Sequence, residues 1–161
     1  MTDFSSHHRI EYELIRTLAI ECHALDLSAH TLLKDGTHAP SRSTERAFEE
    51  LLANKLLMLA ISIRTKFYQG VPFEGTEKYV IDCGSLDEDK KGVQVQRSFT
   101  LKDICDKLIH ANQLERIFTD KENGLVTTIH GIEGKTRWQF VLSISLFAEA
   151  VLNWIDERPD A

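Results

Sequence analysis

Asp106 and His110 lie four residues apart in the stretch 101–111, which reads as a short amphipathic helix. At that spacing both side chains share one helix face. A carboxylate there can orient the imidazole and favour its charged form, bringing histidine toward the working range of a general acid or base. Lys107, three residues before His110, could only repel a charged imidazole, while Leu101, Ile104, Leu108 and Ile109 supply the apolar anchor. Arg64 is the other residue of note. It falls on the stripe Leu57, Ala60, Ile61, Arg64 and Tyr68. An arginine on an apolar face must snorkel or find a partner, and the helix from 101 offers Asp103 and Asp106. The same residues also permit a plainer role, in which Asp106 ties its helix to a neighbour and Arg64 bridges to it as a structural ion pair.

Other constellations carry less. His23, Asp26 and His30 fall at i, i+3 and i+7 of one helix and have metal-ligand chemistry, but no E-x-x-H or H-E-x-x-H stands elsewhere to complete a site. A solvated or helix-packing face is the expected role, and no metal or cofactor is expected. Gly134-Lys135-Thr136 ends like a phosphate loop, yet Ile129 stands where the first glycine belongs, and the segment leads into a strand rather than a helix. A hairpin turn is the expectation. Cys22, Cys83 and Cys105 are odd in number and lack C-x-x-C spacing, which argues for reduced thiols rather than a disulfide or zinc framework. No G-x-S-x-G nucleophile elbow is present.

The chain that must position these residues has 161 residues, the size of one domain. A net charge of −6 excludes a basic nucleic-acid coat and a cationic membrane peptide, though not a small local site. No apolar run approaches the ~20 residues of a spanning helix, and the first residues lack the apolar core of a signal peptide. The expectation is a cytoplasmic protein without membrane contact.

Apolar periodicity predicts a first helix over 8–33, stopped at Asp35-Gly36. A second helix is capped by Ser43 or Thr44 and runs to about Gln69, with Gly70 and Pro72 beyond. Residues 79–83 and 93–97 read as strands around an exposed loop at 84–92. Thr100 and Asp103 form a capping-box pattern for a helix over 101–112. Strands at 115–119 and 125–131 flank a turn at 120–124. A second turn at 132–135 leads into a strand over 136–144, where Trp138, Phe140, Leu142 and Ile144 alternate with polar residues. Ser145 is the expected cap of a last helix carrying Phe147, Val151 and Trp154. The sum is one α+β domain spanning 1–161: a four-helix core with short antiparallel strands inserted between helices two and three and between helices three and four.

The segment Cys105-Asp106-Lys107-Leu108-Ile109-His110-Ala111 resembles the R-x4–6-H motif of the HEPN superfamily, in which a polar residue often follows the arginine. Asp106 matches that polar position and His110 the histidine, while Cys105 stands in the arginine's place. The order of elements is similar, with a long helix pair, the motif helix and a closing helix. The hairpin carrying Gly131, Gly134, Lys135 and Trp138 also resembles uncharacterised bacterial proteins with a similar "NKIIHA" segment. The resemblance implies a helical bundle that dimerises and brings two motif helices together. It further implies metal-independent RNA cleavage in a toxin–antitoxin or phage-defence context, with RNA or an antitoxin-type protein as partner and DNA not expected. In that chemistry His110 moves the proton as the ribose 2′-hydroxyl attacks the phosphate. Arg64, from helix two, would replace the missing arginine in stabilising the pentavalent charge. The alternative is a non-catalytic, dimeric helical module that binds a partner protein.

Overall fold

The computed structural model describes residues 10–33, 39–88, 98–118 and 125–161. Four α-helices appear in chain order: α1 (Tyr12–Leu33), α2 (Arg42–Tyr68), α3 (Leu101–Ile109) and α4 (Ile144–Asp156). Four strands accompany them: β1 (Gly84–Glu88), β2 (Gln113–Phe118), β3 (Leu125–Glu133) and β4 (Thr136–Leu142). The α+β class and the placement of strands between α2 and α3 and between α3 and α4 are as expected. Both insertions join one antiparallel sheet, in the order β1-β4-β3-β2.

One apolar core unites these elements. Ile15, Leu18 and Cys22 of α1 meet Leu52, Leu56, Leu59 and Ile63 of α2 in it. Ile104 and Cys105 of α3, Ile129, Phe140 and Leu142 of the sheet, and Phe147, Val151 and Trp154 of α4 complete it. The alternation foreseen for β4 is present, with Trp138, Phe140 and Leu142 buried and Arg137 and Gln139 exposed. Gly134 forms the β3–β4 turn with Lys135 between the paired Glu133 and Thr136, and its φ of 61° is a left-handed value that glycine adopts freely. The phosphate-loop-like segment is therefore a hairpin turn. Gly131 pairs across the sheet with Trp138, and a Cβ there would lie 2.0 Å from the indole. Only glycine lets that ring lie over the neighbouring strand.

Several expectations are corrected. Residues 79–83 are not a strand. A 3-10 turn, Thr76–Tyr79, is followed by further turns in which the Val80 N–H donates to the Glu77 carbonyl at 3.2 Å and the Cys83 N–H to the Val80 carbonyl at 3.1 Å. Val80 and Cys83 are buried three residues apart while Ile81 is 74% exposed, a turn spacing rather than a strand's alternation. The strand lies instead at Gly84–Glu88, within the stretch expected to be loop, because pairing with β4 satisfies its backbone. The N-cap of α2 is Ser41, whose Oγ accepts the Thr44 N–H at 3.1 Å, rather than Ser43 or Thr44. The N-cap of α4 is Ser143 rather than Ser145. α3 ends at Ile109, because the Asn112 N–H already bonds to the His130 carbonyl of β3 at 2.8 Å. The expected stop at Asp35-Gly36, the strand at 93–97 and the turn at 120–124 lie outside the described residues. No described helix is long and apolar enough to cross a membrane.

Candidate functional site

The expected capping box sets the start of α3. The Thr100 N–H donates to Asp103 Oδ2 at 2.9 Å and the Asp103 N–H to Thr100 Oγ1 at 3.1 Å. The Leu101 N–H donates to Thr76 Oγ1 at 3.1 Å, tying the helix start to the turn after α2. Burial of Leu101, Ile104, Cys105 and Leu108 then turns Asp106, Lys107 and His110 toward the edge of the core.

The partner foreseen for Arg64 is Asp106. Arg64 Nε lies 2.6 Å from Asp106 Oδ1, joining α2 to α3. The same guanidinium donates through Nη2 to the Tyr68 hydroxyl at 3.0 Å and sits 4.8 Å from that ring's centre. Lys102 Nζ takes the other Asp106 oxygen at 3.0 Å. Leu57, Ile61 and Tyr68 of the apolar stripe are exposed, so Arg64 stands at the margin of the core rather than on its face.

His110 is the C-cap of α3, and its backbone N–H donates to the Asp106 carbonyl at 3.0 Å. Its side chain is exposed. The anticipated contact is replaced: the Asp106 carboxylate meets Arg64 and Lys102, not the imidazole, among the described interactions. Lys107 is also placed differently from expectation. Its ammonium sits 4.5 Å from the centre of the Trp138 ring and 3.9 Å from Glu133 Oε2.

Arg64, Asp106, Lys107, His110, Glu133 and Trp138 nonetheless line one cleft of about 710 Å³, between the α2–α3 pair and the sheet. Cys105, the neighbour of Asp106, is fully buried. Burial first, then the Asp106 charge, pushes its thiol far above the ordinary range, with Arg64 opposing. It offers no cation and no thiolate. Cys22 and Cys83 are pushed up to about 12 by the same desolvation.

The His23, Asp26 and His30 face is engaged in packing. His23 Nδ1 lies 3.2 Å from Glu149 of α4. Asp26 Oδ1 accepts from Arg116 Nη2 at 2.6 Å, and Asp26 Oδ2 accepts from Ser145 Oγ at 2.6 Å and from the Ser145 N–H at 3.2 Å. Among the described residues no group of three His, Cys, Asp or Glu side chains is placed to hold a metal.

Arg116 is the polar centre that sequence reading missed. Its side chain is 2% exposed, with Nε 3.4 Å from Thr127 Oγ1 and Nη1 3.6 Å from Glu49. That Nη1 has no hydrogen-bond partner among the described residues. Burial pulls the guanidinium down against the holding charges of Glu49 and Asp26. The available signal was parity, since Arg116 shares a strand face with Leu114.

No family model, curated protein or solved structure matches this chain.

Proposed function

We propose that this chain is a non-catalytic, dimeric helical module that works by binding protein, and that its HEPN-like segment has become a structural clamp. The observation that carries this reading is the occupancy of Asp106. Both of its oxygens are held by cations, Arg64 at 2.6 Å and Lys102 at 3.0 Å, and Arg64 is further tied to Tyr68. The Asp106 carboxylate is thus engaged with two cations instead of orienting His110, and the Nε and Nη2 donors of Arg64 are spent within the protein rather than offered to a phosphate. The outward face of α2 supplies the binding surface, since Leu51, Leu57, Met58 and Ile61 are all exposed on it.

A second reading rests on a different observation. Arg64, Asp106 and His110 share one cleft although α2 and α3 are distant in sequence. In this reading the protein is a divergent, metal-independent ribonuclease of toxin or defence type, with His110 moving the proton and Arg64 steadying the phosphate. An RNA-cleavage assay with chelator present, comparing wild type with His110→Ala, separates the two. The module reading expects no cleavage by either folded protein. Cleavage by wild type alone, leaving cyclic phosphate ends, overturns it in favour of the ribonuclease.

A further inference from the structure

Three strands set one row of side chains at the floor of the cleft. Glu88 of β1 pairs with Trp138 of β4, and Trp138 pairs with Gly131 of β3. Residues directly opposite in a sheet share a face, and this is the face that carries Phe140 and Leu142 into the core. Glu133, two residues beyond Gly131, returns to the same face. Because Gly131 has no side chain, the indole of Trp138 lies over β3. An indole edged by carboxylates has the composition of a site for an organic cation.

The chain supplies such a cation itself. Lys107 of α3 places its ammonium 4.5 Å from the centre of the Trp138 ring. The hold is loose. Glu133 Oε2 is 3.9 Å away, beyond hydrogen-bond reach. Among the described residues Lys107 has no hydrogen-bond partner, although its side chain is only 17% exposed. An ammonium carries three donors, so this occupant exchanges readily for a cation that also bonds to Glu133.

The surroundings favour an incoming cation. Glu88, Asp103, Asp106 and Glu133 line the cleft against Arg64 and Lys107, so negative charge is in excess even when His110 is charged. The whole chain carries −6, which attracts basic partners and repels acidic ones. At about 710 Å³ the cleft holds more than one side chain. Leu86 and Ile132 offer apolar contact to the stem of a lysine or arginine and to its neighbours.

We propose that Trp138, Glu88 and Glu133 form a docking site for a lysine or arginine side chain of a partner protein, with Lys107 as the resident occupant that the partner displaces. This rests on the module reading in taking a protein as the ligand, and it adds the cleft to the outer face of α2 as a place of contact.

Titration with the capped tripeptide Leu-Lys-Leu, read by tryptophan fluorescence, tests the site. Trp154 packs against Tyr12 and Phe67 instead and gives a constant background. Lys107→Ala should bind the peptide about tenfold more tightly than wild type, because the resident cation no longer competes. Arg46→Ala controls for net charge. It removes the same charge from an 82% exposed side chain, about 27 Å from Arg64 along α2, and should leave the affinity unchanged. Glu133→Gln, at a 78% exposed side chain, should weaken binding about threefold without disturbing the fold, and it decides the matter even where Lys107→Ala does not fold. Capped Leu-Glu-Leu should not bind. A Lys107→Ala affinity no higher than that of Arg46→Ala, a Glu133→Gln affinity equal to wild type, or binding of Leu-Glu-Leu overturns the site. Binding of n-butylamine as tight as that of Leu-Lys-Leu overturns its assignment to a protein segment. RNA cleavage dependent on His110 would remove the module reading and leave the titration standing, so the two failures are distinguishable.

Discussion

Arg64 and Asp106, from helices separated in sequence by the β1 insertion, meet at 2.6 Å with their side chains 14% and 30% exposed. The pair is a polar link between α2 and α3. Removing one member leaves the other partly buried without its counter-charge. Arg64→Met and Asp106→Asn should each cost about 1–3 kcal/mol, less than a fully buried pair because water reaches both groups. The double variant should cost less than the sum, by a coupling of about 1 kcal/mol in urea denaturation. Strictly additive losses would show that the contact contributes nothing net.

His110→Ala should change stability by no more than about 0.5 kcal/mol, because the side chain is exposed and the cap is made by the backbone. A loss above about 2 kcal/mol in the same titration would assign His110 a packing role that its exposure does not suggest.

Arg116 and Asp26 set a harsher case. Asp26→Asn removes the counter-charge from a guanidinium that is 2% exposed, and about 3–5 kcal/mol of destabilisation is expected. Arg116→Met should be milder, since Asp26, 12% exposed, keeps its hydrogen bonds from Ser145 when the guanidinium is gone. Finding Arg116→Met the more damaging of the two would mean that its packing against Phe48 outweighs its charge.

Gly131→Ala should displace the Trp138 ring, because the added Cβ meets it at 2.0 Å. Overpacking of this kind costs about 1–3 kcal/mol. Tryptophan fluorescence should shift to the red as the indole leaves its buried site. An unshifted spectrum with unchanged stability would show that β3 yields to the methyl group without moving the ring.

Glu49 gives a pH dependence of definite sign. Burial raises its carboxyl above the ordinary 4.5, with Arg116 opposing. The folded protein therefore keeps this proton to higher pH than the unfolded chain does. Its contribution is most favourable below about pH 4.5 and declines as pH rises through the raised folded value. Glu49→Gln should lack that decline, so the difference in stability between wild type and variant should change across the window. A difference independent of pH from 4 to 7 would contradict the assignment.

The helices were legible because their signals are local. The capping box at Thr100 and Asp103, the Gly70 and Pro72 stop after α2 and the alternation of β4 each lie within one window of sequence. The partnership of Arg64 with Asp106 was also readable, since an arginine beside an apolar stripe requires an acid and the next helix supplied one. The misplaced strand at 79–83 shows the limit. Its β-branched and aromatic residues suit a strand, but the position of Gly84–Glu88 was decided by pairing with β4, whose partner residues lie fifty or more positions away. The absence of an Asp106–His110 contact was hidden for a related reason. The i, i+4 spacing to His110 was visible, whereas competition from Lys102 on the same helix and from Arg64 on another is settled only by the packed structure. Arg116 was missed because its partners come from α1 and α2, and the Ser145 that shares Asp26 begins α4.

That sharing has a kinetic side. Asp26 holds Arg116 and Ser145 at separations of 90 and 119 residues along the chain. Closing loops of that length before the helices have assembled is entropically unfavourable. The junction is therefore expected to form late in folding, after the α1–α2 pair and the β3–β4 hairpin. Interactions made after the transition state govern how fast a protein comes apart rather than how fast it assembles. The carboxylate of Asp26 is then expected to act as a brake on unfolding: its loss should shorten the lifetime of the native state while leaving the folding rate nearly unchanged.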